Sequence, residues 1–417
     1  IQEIKGFGAK TEQNILGNID FAREAHERTL LGEAHPYGEQ IRAYMADAEA
    51  VETCELGGSL RRWRATIGDV DVLVGSDDSE RVVEAFTDWP EVESVIEAGE
   101  TKASVRAGGL RVDLRVVVPD EFGAASQYFT GSKDHNVAVR NRAIERDLKV
   151  NEYGVFDVSG VADGADHQRA AADGDLPDLV TESAMCGDLH THTEWSDGGN
   201  TVAEMVTGAA EFGHNYIAIT DHATGPGMVG GVGVPDEELL AQLDDIESVA
   251  TDADIDVFSG VEANIDADGG ISVADDVLAE LDVVVASPHA ALDGDGTDRL
   301  VRAAKHPDVD IVGHPTGRYL NRRAGLDIDV ERLASVAADH GTALEVNASP
   351  ARLDLGGASV KRAIEAGATI VVDTDAHSPR SFDQITYGVH TARRGWAEAA
   401  DVLNTRSADG LREFLDG

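Results

Sequence analysis

Cysteine is nearly missing. Only Cys54 and Cys186 occur in 417 residues, which excludes a disulfide framework and a cysteine-type zinc site. Aromatic residues are scarce at 5%, and Ala, Val and Gly carry much of the apolar load. No run of about 18 apolar residues exists, so no helix that spans a membrane is expected. No secretory signal pattern is visible. Positive charge is also scarce: 34 Lys and Arg stand against 78 Asp and Glu, a net charge of −44. A surface so acidic does not hold nucleic acid nonspecifically in dilute salt. Molar salt reverses that inference, because it screens surface charge within about 3 Å. The acids are spread through the chain rather than packed into a tail, which fits adaptation to a halophilic cytoplasm.

What is present is ample for more than one core. Hydrophobic residues make up 42% of the chain, and its length calls for two or more domains. The chain opens on Ile1 in the middle of a motif, as the C-terminal part of a longer protein would. Residues 4–16 read as a hairpin between helices. Gly6 and Gly8 allow a tight turn, and the next helix N-terminus offers free N–H groups to a phosphate. The stretch resembles a helix-hairpin-helix DNA contact.

A helix is expected at 38–50 and another at 79–87. Strands are expected at 52–56, 70–74, 104–106 and 110–118. Within this α+β unit lies Gly57-Gly58-Ser59-Leu60-Arg61-Arg62, followed by Gly68-Asp69-Val70-Asp71-Val72-Leu73-Val74. Alternate strand residues share a face, so Asp69 and Asp71 project together. Asp113, in the alternating run Arg111-Val112-Asp113-Leu114-Arg115, supplies a third carboxylate. Three carboxylates on neighbouring strands suit two Mg²⁺ ions. Gly58, Ser59 and Gly68 let backbone N–H groups approach a triphosphate, and Arg62 adds a charge-assisted contact. A solvated strand edge is the bland alternative for Asp-x-Asp alone. The segment Tyr128-Phe129-Thr130-Gly131, with Asn136, Arg140 and Asn151-Glu152-Tyr153, accompanies it.

Together these residues resemble the nucleotidyltransferase palm of family X DNA polymerases. The resemblance implies that Tyr128, Phe129 and Gly131 pack against the incoming sugar. It further implies that Asn136 meets the base edge and Arg140 faces the template. Residues 162–185 are rich in Ala, Asp and Gly and read as a linker. Beyond them strands and helices alternate seven times, which argues for a parallel barrel with its site at the C-terminal strand ends. Nine candidate ligands fall there: His190, His192, Asp197, His222, Glu262, His289, His314, Asp375 and His377. Imidazoles and carboxylates at one mouth suit a cluster of Mn²⁺ or Zn²⁺ ions that activates water. Asp221, Asn347 and Asp373 are placed to orient ligands, and Arg318 to contact a phosphate.

This half resembles the polymerase-and-histidinol-phosphatase (PHP) domain. The resemblance implies that one metal takes His190, His192, Glu262 and Asp375. A second takes Glu262, His289 and His314, and a third takes Asp197, His222 and His377. The expected fold is therefore multidomain α/β. Residues 1–37 are a helix-hairpin-helix remnant and connecting helix, and 38–118 a polymerase palm. Residues 119–161 are a thumb-like subdomain, 162–185 the linker and 186–417 a PHP barrel. The expected function is a monomeric, cytoplasmic DNA repair polymerase that fills gaps from dNTPs. It would carry two Mg²⁺ or Mn²⁺ ions at the palm and a 3′–5′ exonuclease or 3′-end phosphoesterase in the barrel. The alternative is a small-molecule phosphatase with a regulatory nucleotidyltransferase-like domain.

Overall fold

The computed structural model describes residues 28–144, 146, 148–157, 177–228 and 232–416. Gly6 and Gly8 lie outside the described residues. The chain separates into two compact units, Ile1–Leu176 and Pro177–Gly417.

In the first unit, β1 (Thr29–Leu30) leads directly into α1 (Leu31–Ala46). This helix starts and ends earlier than the expected 38–50. Leu31, Ala34, Ile41 and Met45 are all fully buried, and their packing carries the helix through Pro36, where one backbone hydrogen bond is forfeited. Next come β2 (Thr53–Leu56), the short α2 (Gly58–Arg61), β3 (Thr66–Ile67) and β4 (Val70–Gly75). The helix α3 (Ser79–Thr87) starts where the Asp78 side chain accepts from the Arg81 N–H. Then follow β5 (Val92–Ala98), β6 (Lys102–Ala107) and β7 (Leu110–Val117).

Five of these strands form one sheet in the order β2-β4-β7-β6-β5. β4 and β7 run parallel, and the other neighbours are antiparallel. Val70, Val72 and Val74 are buried on β4, as are Val112, Leu114 and Val116 on β7. The alternation that hides these residues turns Asp71 and Asp113 to the other face. β5 was not expected from sequence. Its residues after Val92 are exposed on both faces, so no apolar alternation marks it; backbone pairing with β6 holds it, with the Lys102–Glu97 ion pair and the Gly109 N–H donated to Glu93. The unit continues with α4 (Phe122–Thr130), α5 (Lys133–Ile144) and the hairpin β8 (Leu148–Asn151)–β9 (Gly154–Asp157). Asn151 closes that hairpin by accepting from the Tyr153 and Gly154 N–H groups.

The second unit alternates strands and helices: β10 (Gly187–Asp188), α6 (Val202–Phe212), β11 (Tyr216–Ile219), α7 (Asp236–Asp252), β12 (Asp256–Asn264), α8 (Asp275–Leu278), β13 (Val283–Ser287), α9 (Thr297–Ala303), β14 (Ile311–Val312), α10 (Val330–His340), β15 (Ala343–Asn347), α11 (Gly357–Glu365), β16 (Ile370–Asp373), α12 (Ile385–Arg394) and α13 (Ala408–Leu415). The seven strands are parallel and lie in sequence order. The ends of the sheet meet just past β10 and β16. There the His192 N–H donates to Ala376 O at 2.8 Å and the Ala376 N–H to His190 O at 3.2 Å. The result is a nearly closed barrel. Its helices carry the local signals that make them: Thr201 and Glu204 form a capping box at α6, and Gly213 ends that helix in the left-handed region.

Leu189, Tyr216, Phe258, Val283, Ile311, Ala343 and Val371 pack into one cluster inside the barrel, contributed by all seven strands or the residue beside them. Alternation then carries Glu262, Glu345 and Asp373, two or four positions further along their strands, to the same interior face. The apolar plug thus forms a floor on which the polar residues stand.

Candidate metal centres and nucleotide site

In the first unit, Asp71 and Asp113 are register partners across the β4–β7 pair, and Asp69 directly precedes β4. One oxygen from each of the three lies within 4.8 Å of the others, a span suited to a hard divalent cation. Gly58 has φ of +55°, and a Cβ on it would sit 1.8 Å from Asp71 Oδ2. Only glycine brings this backbone so close to the carboxylate. Burial, then repulsion from Asp69 and Asp113, pushes the Asp71 carboxyl up to about 7. Asp113 accepts from Arg111 Nε at 2.9 Å and from Ser104 Oγ. The buried Ser59 Oγ has no hydrogen-bond partner. A cleft opens here, lined by Asp71, Ser104, Arg111, Asp113 and Phe129 among others.

Of the remaining candidates of this unit, Phe129 lines that cleft. Arg62 donates to the Thr130 carbonyl, and Gly131 ends α4 with φ of +71°. Tyr128 and Phe129 occupy the last turn of that helix, their rings edge to face with centroids 5.3 Å apart. Asn136 Nδ2 donates to Tyr128 O at 2.7 Å and its Oδ1 accepts from Gln127 Nε2 at 3.1 Å. Its amide is thereby tied to α4. Arg140 is exposed, and its Nε donates to Asn136 O within its own helix. Gly68 packs beside the Arg28 guanidinium.

In the barrel, eight of the nine candidates collect as three overlapping groups: His190, His192 and Asp375; His222, Glu262 and His289; and His192, Asp197, His222 and His377. His192 and His222 are each shared between two groups, unlike the division implied by family resemblance. His314 joins through Glu262, with Nε2 2.9 Å from Oε1. The donors fit divalent ions. His192 Nδ1 is buried without a partner, and the buried His190 Nε2, His192 Nε2 and His289 Nε2 face carboxylate oxygens 3.4, 3.1 and 3.2 Å away without hydrogen-bond geometry. Each such group costs about 1–3 kcal/mol, a cost that a coordinated ion removes. A set of imidazole and carboxylate donors suits Zn²⁺ or Mn²⁺.

Surrounding groups set the ligands. His190 Nδ1 lies 2.7 Å from Glu345 Oε1, and the His314 N–H donates to the other oxygen of the same carboxylate. Glu345 was missed in the sequence. Its signal is the inward alternation of Ala343-Leu344-Glu345-Val346-Asn347, the same pattern that marks Asn347. Asn347 Nδ2 donates to Asp375 Oδ2 at 3.1 Å. Asn264, also missed, meets His289 Nδ1 through its Oδ1 at 2.8 Å. Asp221 accepts from the Thr193 N–H and hydroxyl and from Ser196 Oγ, bracing the loop between His192 and Asp197. Asp373 accepts from the Leu189 N–H at 2.8 Å.

Charge within the cluster is strongly redistributed. Burial opposes ionisation of Glu262, yet His222, His289 and His190 hold it well below the usual carboxylate range. Burial, with His222 adding to it, lowers His192 to about 4. Burial would also lower His377, but a hydrogen bond to Asp197 and the Asp375 charge raise it to about 9. Asp197 falls to about 2 against its own burial, because of His377.

Arg318 Nε donates to Arg352 O at 2.9 Å and Nη2 to Leu353 O, so its guanidinium clamps the loop after β15.

A family model for the DNA polymerase beta thumb matches residues 125–185, and one for the PHP domain matches residues 188–349. The chain is 35% identical to the DNA polymerase/3'-5' exonuclease PolX of Bacillus subtilis, covering 100% of this chain and 78% of the relative. It is 33% identical to a probable phosphatase of Caldanaerobacter subterraneus over 55% of this chain and 90% of that protein. A probable phosphatase of a Shewanella species is 31% identical over 46% of the chain and 75% of its own length.

Proposed function

This chain belongs to the family of the bacterial DNA polymerase/3'-5' exonuclease PolX, and we propose that it both extends and trims DNA 3′ ends. The observation that carries this reading is the presence, in one chain, of two complete ligand sets. One is the Asp69, Asp71 and Asp113 carboxylates, and the other is the eight-residue cluster of the barrel with His314 joined to it through Glu262. A likeness to a polymerase-exonuclease along the whole chain supports it.

In this proposal residues 38–118 are the palm, 119–161 the thumb-like part, 162–185 the connection and 186–417 the phosphoesterase barrel. Divalent ions, Mg²⁺ or Mn²⁺ at the palm and Mn²⁺ or Zn²⁺ in the barrel, would supply charge neutralisation at phosphate oxygens and a lowered pKa for the attacking hydroxyl or water. Asp69, Asp71 and Asp113 hold the palm ions. Gly58 and Ser59 approach the triphosphate, with Gly68 and Arg62 nearby. Tyr128, Phe129 and Gly131 pack on the sugar, and Asn136 meets the base edge once its amide leaves α4. Arg140, and Gly6 with Gly8, contact DNA. The partners are gapped or primer-template DNA and dNTPs. The enzyme acts in the cytoplasm as a monomer, filling short gaps during repair, in salt that screens its charge of −44.

The test is a pair of variants assayed on gapped DNA in high salt. Asp69→Ala should abolish primer extension and keep 3′-end degradation, and His190→Ala should do the reverse. Retention of extension in the first variant, or of degradation in the second, defeats the reading. A small-molecule phosphatase is the second reading, favoured by the probable phosphatases that match about half of this chain. Hydrolysis of small monoesters but not of oligonucleotides would decide for it.

A further inference from the structure

Residues 316–325, Thr-Gly-Arg-Tyr-Leu-Asn-Arg-Arg-Ala-Gly, hold three arginines and no acid. In a chain with 78 acidic residues and 34 basic ones, this is a local reversal of sign, and it occurs in the loop that follows the ligand His314. The loop is built stiffly. Tyr319 and Arg323 are bridge partners, and Arg323 Nε and Nη2 donate to Gly317 O at 2.9 and 2.7 Å. The Leu320 N–H donates to Ala351 O at 2.7 Å, joining it to the loop after β15.

Those two loops bring three side chains together at the ligand cluster. The guanidinium carbons of Arg322 and Arg352 lie 5.4 and 5.2 Å from the Tyr319 ring centroid. Arg352 Nε also lies 3.6 Å from Asp375 Oδ2, with its side chain 15% exposed. Asp375 has other partners as well: its Oδ1 lies 3.1 Å from His192 Nε2, and Asn347 donates to its Oδ2. Arg352 thus shares this carboxylate with two other groups, and its charge lies within reach of an anion held at the ligand cluster. Arg322 is exposed at the outer end of the row.

We propose that Arg352, Tyr319 and Arg322 form a shelf that receives the terminal nucleotides of a single DNA strand at the barrel mouth. Arg352 takes a phosphate oxygen beside the ligand cluster. Tyr319 stacks on a base with the ring face that the exposed Arg322 vacates as it turns to meet the next phosphate. A row of cation, aromatic ring and cation suits a polyanion that carries bases. A small monoester held by the ligand cluster has no use for its outer members. The proposal rests on the reading that the barrel trims DNA ends.

The experiment follows degradation of a single-stranded oligonucleotide by the full chain, next to hydrolysis of the p-nitrophenyl ester of thymidine 5′-monophosphate. Bound metal is counted in every variant. Tyr319→Ala, Arg352→Ala and the surface variant Arg322→Ala should each raise KM for the oligonucleotide, by about tenfold for Tyr319→Ala given the usual worth of base stacking. The kcat and the metal stoichiometry should hold, and the one-nucleotide ester should suffer less than the oligonucleotide. Unchanged KM in all three variants overturns the shelf. So does a joint fall of kcat and metal content in Arg352→Ala, which would make that residue a support for Asp375. Wild-type protein that leaves the oligonucleotide intact while cleaving the ester would instead refute the DNA-trimming reading, and the shelf with it.

Discussion

His190 Nδ1 lies 2.7 Å from Glu345 Oε1, and both side chains are fully shielded from solvent. The contact decides which ring nitrogen carries the proton and leaves Nε2 aimed at Glu262 and Asp375, 3.4 and 3.9 Å away. Glu345→Gln keeps the volume but offers only one oxygen where His190 and the His314 N–H now use two. Metal affinity of the barrel is expected to fall by about 10- to 100-fold, with primer extension unchanged. Equilibrium dialysis with Zn²⁺ or Mn²⁺ measures it, and wild-type affinity in the variant would show that Glu345 does not orient the ligand.

Asp71 pairs activity against stability. Burial and its acidic neighbours raise its carboxyl to about 7 from an ordinary 3.8, so the charged form is disfavoured in the folded chain. That cost is absent below about pH 4, grows as pH rises and is complete above about pH 7. Asp71→Asn should therefore abolish primer extension. It should also stabilise the metal-free protein at pH 8 by on the order of 2 kcal/mol after allowance for relaxation, with no gain at pH 4. Urea melts at the two pH values decide the point.

Gly58→Ala should damage the palm without unfolding it. The added Cβ meets Asp71 Oδ2 at 1.8 Å in a backbone of φ +55°, so either α2 or the carboxylate must shift. Primer extension is expected to drop by about 100-fold, as a displacement of about 1 Å near the chemistry produces, while 3′-end degradation stays at its wild-type rate.

The metal-free barrel should weaken in alkali. His377 is raised to about 9 from 6.5, so its contribution is complete below pH 6.5 and fades as pH climbs to 9. Asp197 is lowered to about 2 from 3.8, so its contribution is present above pH 3.8 and lost towards pH 2. Thermal melts of chelator-treated protein should show the midpoint decline between pH 6.5 and 9. Asp197→Asn, which removes the charge facing His377, should flatten that decline.

Much of this arrangement was legible because most of the ligands lie near the end of an apolar strand or in the loop just beyond it. Strong hydrophobic runs such as Val283–Ser287 and Ala343–Asn347 fix where a strand stops, and the polar residue at the stop stands out. The helices Val202–Phe212 and Val330–His340 were equally plain, because a capping threonine or aspartate and a terminal glycine bound them. Glu345 escaped notice because a glutamate inside a strand has the sequence of a solvent-facing residue; only barrel closure makes its face an interior one. Arg318 donates to two carbonyls that arrive from the loop after β15, contacts that its position four residues after His314 does not announce. The sharing of His192 and His222 between groups was equally out of reach, since spacing along a chain carries no information about which side chains meet across a barrel.

The register that sets Asp71 opposite Asp113 has an evolutionary consequence. Inserting or deleting one residue in either strand would turn its carboxylate toward the hydrophobic interior and expose a valine in its place. Length variation among descendants of this sequence should therefore be purged from these two ladders, and should accumulate instead in connecting segments whose ends are fixed but whose contour is not.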